Sequence, residues 1–95
     1  MTFSVRTLPR ADADIGHITS YIYERSPQGA AAWINALDLA RARLADNAEG
    51  CGEADENEHF DIKVQQALFK TRRGRVYRML FTIIDEEVRI LRVRG

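Results

Sequence analysis

Residues 75–95 read RVYRMLFTIIDEEVRILRVRG, with arginines alternating with large apolar residues on both sides of a short acidic turn. Arg78, Arg92 and Arg94 lie in the two flanking runs, and Lys70, Arg72, Arg73 and Arg75 crowd the KTRRGR stretch before them. A guanidinium is a permanently charged planar fork that matches a carboxylate or a phosphate through paired hydrogen bonds. Like charges facing one another across paired strands repel. A cluster kept on one sheet face therefore points to a site for phosphate or for an acidic partner surface. The same residues have a blander use, in which they solubilise a sheet face while their methylene stems cover apolar neighbours.

Cleaving RNA without a metal asks for more than cations around the phosphate. It needs a base for the 2′-hydroxyl and an acid for the leaving oxygen. Only His17 and His59 are present, one in a predicted helix and one in an acidic loop, and both are expected at the surface. Tyr21 and Tyr23 fall on the first predicted helix, and Tyr77 on the core side of its strand. The phosphate-binding half of a nuclease is available in Arg78 and Arg94. The proton-transfer half is not evident, unless a glutamate of the 53–58 loop swings in as base. ENEH (56–59) sets one histidine among acids, the pattern of solvated charge, so no metal site and no cofactor is expected. Cys51 has no base beside it and no second cysteine to pair with, which suits an ordinary thiol in a reducing cytoplasm.

Several elements must position these groups. Thr2–Leu8 alternates like a half-buried strand and is stopped by Pro9. The stretch 11–25 places Ala11, Ile15, Ile18 and Ile22 on one helical stripe, with Asp12 and Asp14 early and Arg25 late. Ser26-Pro27 is a helix-start signal. The following helix, roughly 27–47, aligns Ala30, Trp33, Leu37, Ala40 and Leu44. So short a link makes the two helices an αα-hairpin. Residues 48–61, rich in glycine and acids, read as a loop with an ordered piece held by Phe60. Three strands follow, at 64–70, 75–84 and 88–94. The expected fold is α+β in the order β-α-α-β-β-β, one domain over 1–95, with the helices on one face of an antiparallel-rich sheet.

A three-residue DEE turn would pair Ile84 with Val88, Thr82 with Ile90, Leu80 with Arg92 and Arg78 with Arg94. Phe81 with Leu91 and Met79 with Val93 would then form the apolar face under the helices. On that expectation Arg78, Arg92 and Arg94 stand together on a second, uncovered face.

The apolar share of 45% and charged share of 29% are ordinary for a globular protein. The net charge of zero hides a division: residues 1–61 carry 5 Lys/Arg and 11 Asp/Glu, residues 62–95 carry 9 and 3. Such asymmetry is a hint of a charged binding surface. No run nears the ~20 apolar residues of a membrane helix, and MTFSVRTLPR lacks the features of a signal peptide. A cytoplasmic protein without a membrane role is expected.

The order β-α-α-β-β-β, the YIYERSPQGAAAW junction, the LFKTRRGRVYRMLFTI strand pair and the closing VRILRVR resemble the RelE/ParE superfamily of type II toxin–antitoxin toxins along essentially the whole chain. The resemblance implies a tight antitoxin partner whose disordered C-terminal segment folds as it wraps the toxin, with Trp33 either in the core or on the helix face so covered. It also implies one of two activities. ParE-like members poison DNA gyrase, whereas RelE-like members cut messenger RNA on the ribosome using sheet-face cations and a C-terminal histidine or tyrosine. Arg78 matches the sheet arginine in kind, but Arg94-Gly95 stands where many relatives have histidine. The shortage of acid–base groups and the VRILRVR ending favour the gyrase reading, with the endoribonuclease and an inert antitoxin binder as alternatives.

Overall fold

A computed structural model describes residues 2–95. The elements are β1 (Ser4–Thr7), α1 (Pro9–Arg25), α2 (Pro27–Asn47), β2 (Gln65–Phe69), β3 (Tyr77–Ile84) and β4 (Glu87–Arg94). Two short 3-10 turns, Ala48–Gly50 and Asp55–His59, lie between α2 and β2. The sheet order is β1-β4-β3-β2, with β1 parallel to β4 and the other pairs antiparallel. This is the α+β arrangement expected from the sequence.

Pro9 opens α1 at a position whose N–H has no intrahelical partner to lose. Ser26 serves both helices: its backbone N–H closes α1 on the Ile22 carbonyl, and its hydroxyl accepts from Gly29 N–H at 2.9 Å to open α2. The expected stripes are the buried ones. Ala11 is fully buried with Ile15, Ile18 and Ile22 packed beside the core, and Ala30, Trp33, Leu37, Ala40 and Leu44 are all buried. Trp33 sits 5.6 Å from the Phe69 ring and 5.3 Å from Tyr77, which pins α2 over the meeting of β2 and β3. Of the two roles open to Trp33, the core one holds, since only 2% of it is exposed.

The β3–β4 hairpin departs from the expected register. Its turn has two residues, Asp85 and Glu86, so Ile84 pairs with Glu87, Ile83 with Val88, Thr82 with Arg89 and Phe81 with Ile90. A β-bulge then inserts Leu91, after which Leu80 pairs with Arg92, Met79 with Val93 and Arg78 with Arg94. The expected pairs beyond the bulge are found, and those nearer the turn are one residue off. Both halves need apolar residues opposite apolar residues under the helices, and no single register supplies this. A three-residue turn would set Ile83 against Arg89; an unbroken two-residue register would set Met79 against Arg92. The extra residue reconciles the two phases. Asp85 adopts φ 55°, a conformation that aspartate tolerates better than most residues.

The second sheet face is covered as well. The loop between α2 and β2 folds across it, and Ala54, Val64 and Leu80 form a small buried cluster with Leu91 against it. The loop is closed at its base by Ala54 N–H to Val64 O (2.9 Å) and Gln66 N–H to Gly52 O (2.9 Å). Phe60 does not anchor it, being 38% exposed. Ala54 and Val64 do that instead, helped by Asn57, whose side-chain oxygen accepts from Val64 N–H at 2.6 Å.

Candidate functional site

Arg78 on β3 and Arg94 on β4 are direct cross-strand partners. What holds two guanidinium groups together is Glu56, carried over the sheet by the Asp55–His59 turn. Arg78 donates through both terminal nitrogens to its two oxygens, at 2.8 and 2.9 Å, and Arg94 adds a third bond at 3.1 Å. Arg78 also reaches the Gln66 side-chain oxygen at 3.2 Å. The Arg78 fork, with Arg94 behind it, holds the Glu56 carboxyl at about 2 despite partial burial. The same pairing raises the Arg78 pKa. A group so acidic is a poor general base near neutral pH.

Arg92 does not join this pair. It turns to the edge of the sheet and donates to both oxygens of Asp14 on α1, at 2.8 and 2.9 Å. The Asp14 carboxylate also accepts the Val93 backbone N–H at 2.9 Å. These bonds lie just past the end of β1. Thr7 is its last residue paired with β4, opposite Ile90, and beyond it the outer edge of β4 would otherwise be bare. Asp14 therefore acts as a one-residue continuation of the missing strand, and Arg92 ties α1 to it. The Arg92 bond lowers the Asp14 pKa, with help from Val93 N–H.

Arg72 and Arg73 occupy an exposed turn before β3, and Arg75, also exposed, lies 5.3 Å from the Tyr77 ring. His17, His59, Tyr21 and Tyr23 are all exposed. His17, Tyr21, Arg75 and Tyr77 line a shallow cleft of about 250 Å³ on the α1 side. Of the six sequence-predicted arginines, the fold thus brings two onto one carboxylate, commits a third to α1 and leaves three in solvent or over a ring. Glu56 and Asp14 were missed as their partners. The one available signal was the acidic excess of residues 1–61 set against the basic excess of 62–95.

The profile of the family described as ParE toxin of type II toxin–antitoxin system, parDE, matches residues 5–95. The chain belongs to the ParE toxin family.

Two solved structures are similar over nearly the whole chain. A chain of the chromosomal ParDE system from P. aeruginosa superposes with a TM-score of 0.77 at 20% identity, covering 98% of this chain and 95% of that one. A chain of the RelBE2 toxin–antitoxin complex from Mycobacterium tuberculosis gives 0.55 at 26% identity, covering 100% and 99%. No curated protein matches the chain significantly in sequence. The ParE match agrees with the superfamily resemblance carried by the strand motifs and makes the chain a toxin of the type II class. Among the described residues no helix is long and apolar enough to cross a membrane.

Proposed function

We propose that this ParE-family chain acts by protein–protein binding, poisoning DNA gyrase in the cytoplasm, and that a cognate antitoxin neutralises it. The observation that carries the reading is the Glu56 bridge. Both sheet arginines that a phosphate-cleaving site would use are closed on a carboxylate of the same chain, and that carboxylate is too acidic to serve as base. A protein-binding toxin has no need of acid–base groups and loses nothing by this.

Exposed apolar surface supports the antitoxin half of the reading. Leu39 on α2 and Leu68 on β2 are 62% and 60% exposed, and they share a groove with Arg43 and Lys70. β2 is an edge strand whose first half pairs with Gly52–Glu53 and whose second half, Ala67–Phe69, has no outer neighbour among the described strands. An antitoxin segment with apolar and acidic side chains suits that groove and can pair with that edge.

The test is a gyrase supercoiling and DNA-cleavage assay with the purified chain, with and without antitoxin. Trapped double-strand breaks or lost supercoiling, reversed by antitoxin, are expected. An unaffected gyrase together with ribosome-dependent messenger RNA cuts, abolished by Arg78→Ala, would replace this reading with the endoribonuclease one. Antitoxin binding with neither activity would make the chain an inert homologue.

A further inference from the structure

The Glu56 bridge has the geometry of a ligand in a receptor. A carboxylate on a short surface turn places both oxygens on a guanidinium fork from β3 and a second guanidinium from β4. Two like charges side by side on one sheet face are destabilising without an anion between them, so this position must hold one. Any carboxylate reaching it from outside would meet the same bonds.

Arg94 is shared with a second feature. An open groove of about 490 Å³ runs from it along the end of β4, walled by Pro9, Leu91, Phe60 and Ile62, with Arg10 at the rim. Phe60 and Ile62 are 38% and 47% exposed, and neither belongs to the buried cluster beneath the loop. Such a groove takes an apolar side chain, and its arginine rim takes an acidic neighbour of that side chain. Nucleic acid offers phosphates but no branched aliphatic side chain to fill it; a polypeptide offers an acid and such a side chain together.

We propose that Arg78, Arg94 and the Phe60–Leu91 groove form a docking site for an acidic polypeptide segment, and that Glu56 is a built-in occupant which the partner's carboxylate displaces. The partner places a glutamate or aspartate on Arg78 and Arg94 and an adjacent leucine-like side chain in the groove. Glu56 swings into solvent, which costs little covalent rearrangement because it sits on a one-turn segment. Self-occupation offsets one of the two arginine charges until a partner with the right combination arrives, and it lowers apparent affinity by the fraction of time the site is blocked. The proposal rests on the reading of this chain as a toxin that works by binding proteins.

The test measures binding of the synthetic peptide EELEDLEE to the full chain and to Glu56→Gln by calorimetry. The comparison ligands are EESEDSEE and a single-stranded oligodeoxynucleotide of matched charge. Freeing the site should tighten EELEDLEE binding at least about tenfold, and the serine peptide and the oligonucleotide should bind Glu56→Gln more weakly than EELEDLEE does, since neither fills the groove. Equal affinity of the two proteins for EELEDLEE overturns the proposal. So does a serine peptide or an oligonucleotide that binds Glu56→Gln as tightly as EELEDLEE does. Should Glu56→Gln fail to fold, the wild-type chain supplies the answer by NMR. On saturation with EELEDLEE the Glu56 carboxyl carbon should move to its free position, with Ile62 and Leu91 methyl shifts sharing the midpoint. Peptide bound with Glu56 unmoved overturns displacement. Gyrase enters none of these readouts, so failure here and failure of the gyrase assay are separate results.

Discussion

Glu56→Gln should destabilise the chain by an amount that depends on pH in a specific way. The Glu56 carboxyl falls from 4.5 to about 2 on folding. At ~1.36 kcal/mol per unit that drop is worth about 3 kcal/mol at neutral pH. Glu56 is 17% exposed and Arg78 20%, but Arg94 is 39% exposed, so solvent already screens part of the interaction. A loss of about 2–3 kcal/mol is the expectation at pH 7. It is large against the roughly 5–14 kcal/mol that a domain of this length has in total.

The sign follows from a depressed folded-state pKa. The contribution is present above the unfolded value of 4.5 and is lost as pH falls through the folded value near 2. Urea titrations of both proteins at pH 7, 4 and 3 would read it. The difference should fall by about a quarter between pH 7 and 4 and to less than about half by pH 3, as Glu56 of the unfolded wild-type chain takes up its proton. Asp14 titrates identically in both proteins and cancels. A difference that stays constant across this range, or one below about 0.5 kcal/mol at pH 7, would refute the bridge as an energetic contact.

Asp14→Ala strands the Val93 N–H and the Arg92 guanidinium together and should cost about 1–3 kcal/mol by urea unfolding, with Asp14→Asn recovering part. Asp85→Val forces a β-branched residue into the left-handed turn position and should cost about 1–2 kcal/mol, whereas Asp85→Gly should lie within about 0.5 kcal/mol of wild type. Trp33→Ala empties the space between Phe69 and Tyr77 and should cost about 3–5 kcal/mol, visible as a large fall in melting temperature. Leu39→Asp, on the exposed side of the same helix, should leave stability within about 0.5 kcal/mol while weakening antitoxin binding in calorimetry.

Both helices were legible because their information is local. Ser26-Pro27 and the spacing of Trp33, Leu37, Ala40 and Leu44 state the cap and the buried face without reference to the rest of the chain. The hairpin was legible only by halves. Alternation in RVYRMLFTI and VRILRVR fixes which residues share a face, and Arg78 opposite Arg94 follows from counting outward from a three-residue turn. A bulge has no residue type of its own here, because Leu91 is apolar and fits either phase. Its trace is the disagreement between the register that suits Phe81 and Ile83 and the one that suits Met79. A single-register argument resolves that disagreement by choosing a turn length, and so it moved the extra residue from the strand into the turn.

The site was harder to read because its pairings are remote. Glu56 meets Arg78 across 22 positions and Arg94 across 38, while Asp14 meets Arg92 across 78. No spacing rule reaches that far. The charge division between the two parts of the chain did report these bonds, but an excess of one sign looks the same whether its counter-charge is a partner's or the chain's own. The structure separates the two cases arginine by arginine, and this changes how the site has to be tested. Reversing Arg78, Arg92 and Arg94 together would mix two effects, since Arg92 holds α1 to the sheet through Asp14. Lost toxicity in that triple variant would report unfolding as readily as a missing interface. Arg94→Glu with Arg92 intact is the cleaner change: Arg78 keeps its fork on Glu56, the α1 tie is untouched, and the new acid faces the groove where an acidic partner must enter. A folded Arg94→Glu chain that still binds its partners at full affinity would place the interface elsewhere, on the Leu39–Leu68 side.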